Sequence, residues 1–114
     1  MTMTLQITVE GDDGDERGTP SLHRWYQDDP TVVAIAATTL IQDARGPAGV
    51  DIIEATVTDA IGAGTLLISF LQWRAARRSR IRTMAKLRHG TRVYLVRDDS
   101  PESVGEIVRD LSEH

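Results

Sequence analysis

Apolar and polar residues alternate from Thr4 to Glu10, with Leu5, Ile7 and Val9 on one side, which is the period of a half-buried strand. A turn-rich acidic stretch, Gly11 to Gly18, then leads to Thr19-Pro20-Ser21, a helix-start signal. The helix it opens runs to about Asp28, carries Leu22, Trp25 and Tyr26 at i, i+3 and i+4, and is stopped by Pro30. From Val32 to Gln42 the chain is β-branched and Ala-rich, alternating most clearly from Ile35 through Thr39 to Ile41, so its later part reads as a second strand.

Beyond the loop Ala44 to Gly49, the residues Val50, Ile53, Val57, Ala60, Ile61, Gly64, Leu67, Ile68 and Leu71 keep to one helical stripe. Strand alternation fits this stretch less well, since it sets Asp51 and Asp59 on the face of Ile53 and Val57. The expectation is a long central helix over about 49–75, roughly 38 Å at 1.5 Å per residue. After Trp73 the pattern returns to period two. Ile81, Thr83, Ala85 and Leu87 alternate with Arg80, Arg82, Met84, Lys86 and Arg88, and after His89-Gly90 the set Arg92, Tyr94 and Val96 alternates with Val93 and Leu95. That is a hairpin over about 80–97 with one basic face. Ser100 as N-cap and Pro101 at N1 open a last helix over about 101–113, whose buried stripe is Val104, Ile107, Val108 and Leu111. The order β-α-β-α-β-β-α predicts an α+β fold, one small sheet with helices mainly on one face.

At 114 residues the chain predicts a single domain, 1–114. It contains no cysteine, so disulfides, thiolate metal sites and a cysteine nucleophile are excluded together. The N-terminus, Met1-Thr-Met-Thr, has no positive n-region and no long apolar segment after it, and reads as no signal peptide. Ala60 to Trp73 is uncharged for only fourteen residues, short of the ~20 that span a hydrocarbon core.

The formal charge of −4 hides a sharper distribution. Residues 1–73 carry a net −8, residues 74–97 hold nine bases and no acid, and residues 98–114 carry −5. The basic band, with Arg74, Arg77, Arg78, Arg80, Arg82, Lys86, Arg88 and Arg92, is the sharpest candidate for a contact surface. Three readings stay open for it: a solvated or intramolecularly paired face, a protein partner, or phosphate of an anionic membrane or nucleic acid, the last being disfavoured because Tyr94 alone interleaves as an aromatic.

Other motifs fall to simpler explanations. The run Asp12, Asp13, Asp15, Glu16 does not meet calcium-loop spacing, since Arg17 stands where the fifth position needs an oxygen ligand. Gly62-Ala63-Gly64 lacks the third glycine and the context of a dinucleotide fingerprint, and reads as small residues admitting a close neighbour. His23, His89 and His114 have no partner at ligand spacing, and no nucleophile elbow is present. No enzyme, metal or cofactor is expected. Trp25 and Trp73 read first as core anchors and second as interface residues.

GDDGDE at 11–16, SLHRWYQDDP at 21–30, AIGAGTLLISFLQW at 60–73 and RAARRSR at 74–80, taken in order, resemble the effector-associated constant component family of actinobacteria. The likeness is strongest at Leu22, Arg24, Trp25, Asp28, Asp29 and Pro30, and at Gly62, Gly64, Trp73, Arg74, Arg77 and Arg78; it departs at Gly46 to Gly49, where the family tends to a Gly-Glu-Met-Gly-like entry. The resemblance implies a non-catalytic adaptor of a bacterial conflict or signalling system, encoded beside an effector or regulator of peptidase or NTPase type. The expected setting is cytoplasmic, with peripheral contact at the inner membrane face and homo-oligomerisation left open. The candidate interface residues are Arg74, Arg77, Arg78, Arg80, Arg82 and Arg88 of the basic band, Trp25, Asp28 and Asp29 of the short helix, or Asp12, Asp13 and Asp15 of the acidic loop.

Overall fold

A computed structural model describes residues 2–11, 18–42, 51–76, 83–96 and 101–113. Five strands form one antiparallel sheet: β1 (Met3–Gly11), β2 (Ala36–Gln42), β3 (Asp51–Val57), β4 (Thr83–His89) and β5 (Arg92–Val96), in the spatial order β2-β3-β1-β4-β5. Four helices accompany them, α1 (Gly18–Asp28), α2 (Pro30–Ile35), α3 (Ala60–Ala76) and α4 (Pro101–Ser112). The α+β class and the single sheet with helices on one face are as the sequence predicts. The expected order is kept, with α2 and β3 added within it.

The register shows why one face is covered and the other is not. Leu5 pairs with Ala55, Ile7 lies between Ile53 and Leu87, and Val9, Ala85 and Val96 form the next inner row. All of these but Val9 are fully buried. Their neighbours one residue along, Thr4, Thr39, Lys86, Arg88, Val93 and Leu95, are exposed on the open face. The inner face meets α1, α3 and α4 through Leu22, Tyr26, Leu66, Leu67, Phe70, Val104, Ile107 and Leu111.

The long helix expected over 49–75 is corrected: it begins at Ala60, and residues 51–57 are the strand β3. Ile53 and Val57 are four apart, a spacing that serves a helix face and a strand face alike. Asp59, which counted against a strand, lies beyond its end, where its Oδ1 accepts the backbone N–H of Gly62 at 3.0 Å and caps α3. Pro30 ends α1 as predicted but also starts α2, because Asp29 precedes it as an N-cap accepting from the N–H of Thr31 at 3.0 Å. On β2 the inward set is Ala36, Thr38 and Leu40, so Ile41 points to the open face, where it is 40% exposed. The turn 11–18, the loop 43–50, the segment 77–82 and Ser100 lie partly or wholly outside the described residues.

Helix α3 is apolar on nearly every side because it is the centre of the helix layer. Its two glycines let it settle there. A Cβ on Gly62 would stand 2.9 Å from Val57 Cβ, and one on Gly64 would stand 2.7 Å from Val108 Cγ2. Close approach to the sheet on one side and to α4 on the other is therefore the reason for the small residues, as their sequence context implies.

Candidate functional site

The two tryptophans singled out by the sequence carry the α1–α3 contact, each through a serine of the other helix. Trp25 on α1 donates its indole N–H to Ser69 Oγ on α3 at 3.0 Å, and Trp73 on α3 donates its own to Ser21 Oγ on α1 at 3.2 Å. The Ser69 hydroxyl in turn donates to Asp29 Oδ2 at 2.9 Å. One carboxylate thus caps α2 with one oxygen and fixes α3 with the other. Beneath them the Tyr26 hydroxyl donates to the Leu66 carbonyl at 2.8 Å. Burial, and secondarily the nearby Asp29 charge, push the Tyr26 phenol far above its ordinary value, so it stays a neutral donor.

Over this seam lies a shallow groove of about 300 Å³ lined by Ser21, Arg24, Trp25, Asp28, Trp73 and Ala76. Trp25 and Trp73 form its apolar floor, and Arg24 and Asp28, one turn apart and both exposed, form its rim. Alongside runs the outward ridge of α3. Ile61 is 71% exposed and Ile68 49%, with the polar Thr65 between them and exposed Gln72 one turn on, while Val33 on α2 is 58% exposed.

Trp25, Asp28 and Asp29 are thus brought together, with Trp25 and Asp29 serving first as ties between helices. Arg74 sits on the last turn of the same helix α3. Arg88 is elsewhere, on the open sheet face with Lys86, above a depression of about 240 Å³ lined by Thr4, Gln6, Arg88 and Gly90. The single basic face expected for the hairpin is corrected at Arg92. Its side chain belongs to the opposite parity, and its Nη1 meets Asp110 Oδ2 of α4 at 2.6 Å. Tyr94 donates to the same Asp110 oxygen, so β5 contributes Val93 and Leu95, not cations, to the open face. Arg77, Arg78, Arg80, Arg82, Asp12, Asp13 and Asp15 lie outside the described residues.

Sequence reasoning missed Ser69, Ser21 and the ridge. A serine in an apolar helix carries no signal of its own. The spacing Trp25/Asp29 on one side and Ser69/Trp73 on the other, both i, i+4, was the trace available. Chemically the seam is a lock. Ser69 is 2% exposed and its oxygen is engaged on both sides, which leaves no room for a substrate. His23 Nε2 is buried and has no hydrogen-bond partner among the described residues. Among the described residues no helix is long and apolar enough to cross a membrane.

A family model described as Effector Associated Constant Component 1 matches residues 10–112. No curated protein and no solved structure matches the chain.

Proposed function

Because the chain belongs to the Effector Associated Constant Component 1 family, we propose that it is a non-catalytic adaptor, holding a variable effector of a bacterial conflict system to its regulator by protein contacts. The observation that carries this reading is the outer surface of the helix layer: Ile61 and Ile68 stand exposed on α3, and the last turns of that helix meet α1 at the groove lined by Trp25 and Trp73. Exposed large aliphatics beside tryptophan and a polar rim are the composition of a protein interface. The partner is an effector or regulator of peptidase or nucleotide-driven type, and the setting is cytoplasmic.

Co-expression with the product of a neighbouring effector gene tests it. Wild type captures the effector, while Ile68→Asp and Arg24→Glu each weaken capture at least tenfold with the fold intact by circular dichroism. Capture that is absent in wild type, or untouched in both variants, rejects the reading. The alternative, a phosphate-binding module built on the band 74–92 and acting on an anionic membrane surface or nucleic acid, has thinner support. Of the described residues of that band Lys86 and Arg88 share the open face, whereas Arg92 is held by Asp110.

A further inference from the structure

The two edges of the sheet, β2 and β5, are built differently. β5 is five residues long and opens on Arg92, which is tied to α4. β2 is seven residues long, reads Ala-Ala-Thr-Thr-Leu-Ile-Gln, and pairs with β3 residue for residue without a bulge. It therefore has none of the charges, prolines or bulges by which an edge strand is kept from pairing. Among the described residues no hydrogen bond reaches its free side between Ala37 and Ile41.

We propose that β2 pairs with β2 of a second copy of this chain, antiparallel about a two-fold axis at Thr39, joining two sheets into one. The self-complementarity of the strand selects a second copy over an unrelated strand. About that axis Thr39 faces Thr39, Ala37 faces Ile41, and Thr38 faces Leu40. On the open face the small Ala37 makes room for Ile41 of the other copy, which is 40% exposed in the single chain and already flanked by Ile52 of β3. The two threonine hydroxyls meet at the centre, a favourable cross-strand pair. Because β2 carries no charge, the isologous pairing sets no like charges opposite each other. Seven paired residues bury less than the ~1,200 Å² of a standard stable interface, so the dimer is concentration-dependent, forming in the micromolar range or above.

The absence of cysteine makes the test clean. Opposed residues of an antiparallel pair have Cα atoms about 4.5–5.5 Å apart, within disulfide reach. Thr39→Cys is expected to cross-link under mild oxidation to twice the 12.6 kDa chain mass, while Val93→Cys on the β5 edge stays single. In sedimentation equilibrium the unaltered chain doubles its mass across the micromolar to high-micromolar range, and Thr39→Lys, with unchanged circular dichroism, does not. A chain that stays monomeric at several hundred micromolar overturns the proposal. So does cross-linking that is no greater at residue 39 than at residue 93, and this arm decides the matter if Thr39→Lys fails to fold.

Discussion

Trp25 and Ser69 meet at 3.0 Å between helices forty-four residues apart in sequence, and the serine passes the contact on to Asp29 at 2.9 Å. Removing the one buried hydroxyl orphans a partly buried indole N–H and a partly buried carboxylate oxygen together. Unmade hydrogen bonds of fully buried groups cost about 1–3 kcal/mol, and two partly buried ones fall in the same range together. Ser69→Ala is therefore expected to lose about 2 kcal/mol in urea unfolding at unchanged m-value, with tryptophan emission shifting to the red. An unchanged midpoint would mean that the seam is ornamental to stability.

The glycines of α3 and α4 separate two opposite effects of the same substitution. Gly62→Ala forces a Cβ to 2.9 Å from the branched Cβ of Val57, an atom tied to the strand backbone that cannot swing away. Overpacking of this kind costs about 1–3 kcal/mol. Gly105→Ala meets nothing within 4 Å in the middle of α4, and gains about 0.5–1 kcal/mol from the lower entropy of the unfolded chain. Thermal unfolding of the pair should move in opposite directions. Parallel shifts would contradict the close approach of α3 to β3.

What the sequence disclosed and what it hid follow from the same arithmetic. Strands β1 and β4 were legible because each buries one face and solvates the other, so Leu5 and Ile7, or Ala85 and Leu87, stand out against polar neighbours. β3 was not, because Ile53 and Val57 satisfy both periods and run without a break into the apolar Ala60. The resolving mark was Asp59, a helix cap whose role shows only when its carboxylate is seen on the Gly62 N–H. The basic band divides for a different reason. Charge clustering along the chain pointed to Arg88 and Arg92 as one band, but alternate residues of a hairpin leave by opposite faces, and the fold sent one to the open sheet and the other to Asp110.

Both tyrosines of the chain have phenols held above the ordinary value of 10.0, Tyr26 by burial and then Asp29, Tyr94 by burial and then its hydrogen bond to Asp110. The neutral form is favoured in the fold, so this contribution to stability is fully present below pH 10 and is lost as pH rises above it. For the fully buried Tyr26 the loss approaches about 1.4 kcal/mol per pH unit. In a spectrophotometric titration, ionisation of Tyr26 should coincide with loss of tertiary circular dichroism, and Tyr26→Phe should flatten the alkaline slope. Reversible ionisation of both phenols in a folded chain near pH 10 would show that the burial is not maintained.

The two faces of the domain should separate cleanly in a binding experiment. Along the central row of the open sheet the order is Thr39, Glu54, Gln6, Arg88 and Val93, so the guanidinium has a carboxylate two strands away across one neutral residue. Two strand spacings are about 10 Å, close to the Debye length at physiological salt, so whatever Lys86 and Arg88 contribute to binding from this face is electrostatic and screened by salt. The helix layer relies instead on apolar area at Ile61 and Ile68, which salt does not screen. The double reversal Lys86→Glu/Arg88→Glu is accordingly expected to leave effector capture within twofold of wild type at any ionic strength, and to abolish whatever low-salt adsorption to anionic vesicles the protein has. Ile68→Asp should do the converse. Loss of capture on reversing the sheet charges, with steep salt dependence in wild type, would move the effector contact to the sheet face.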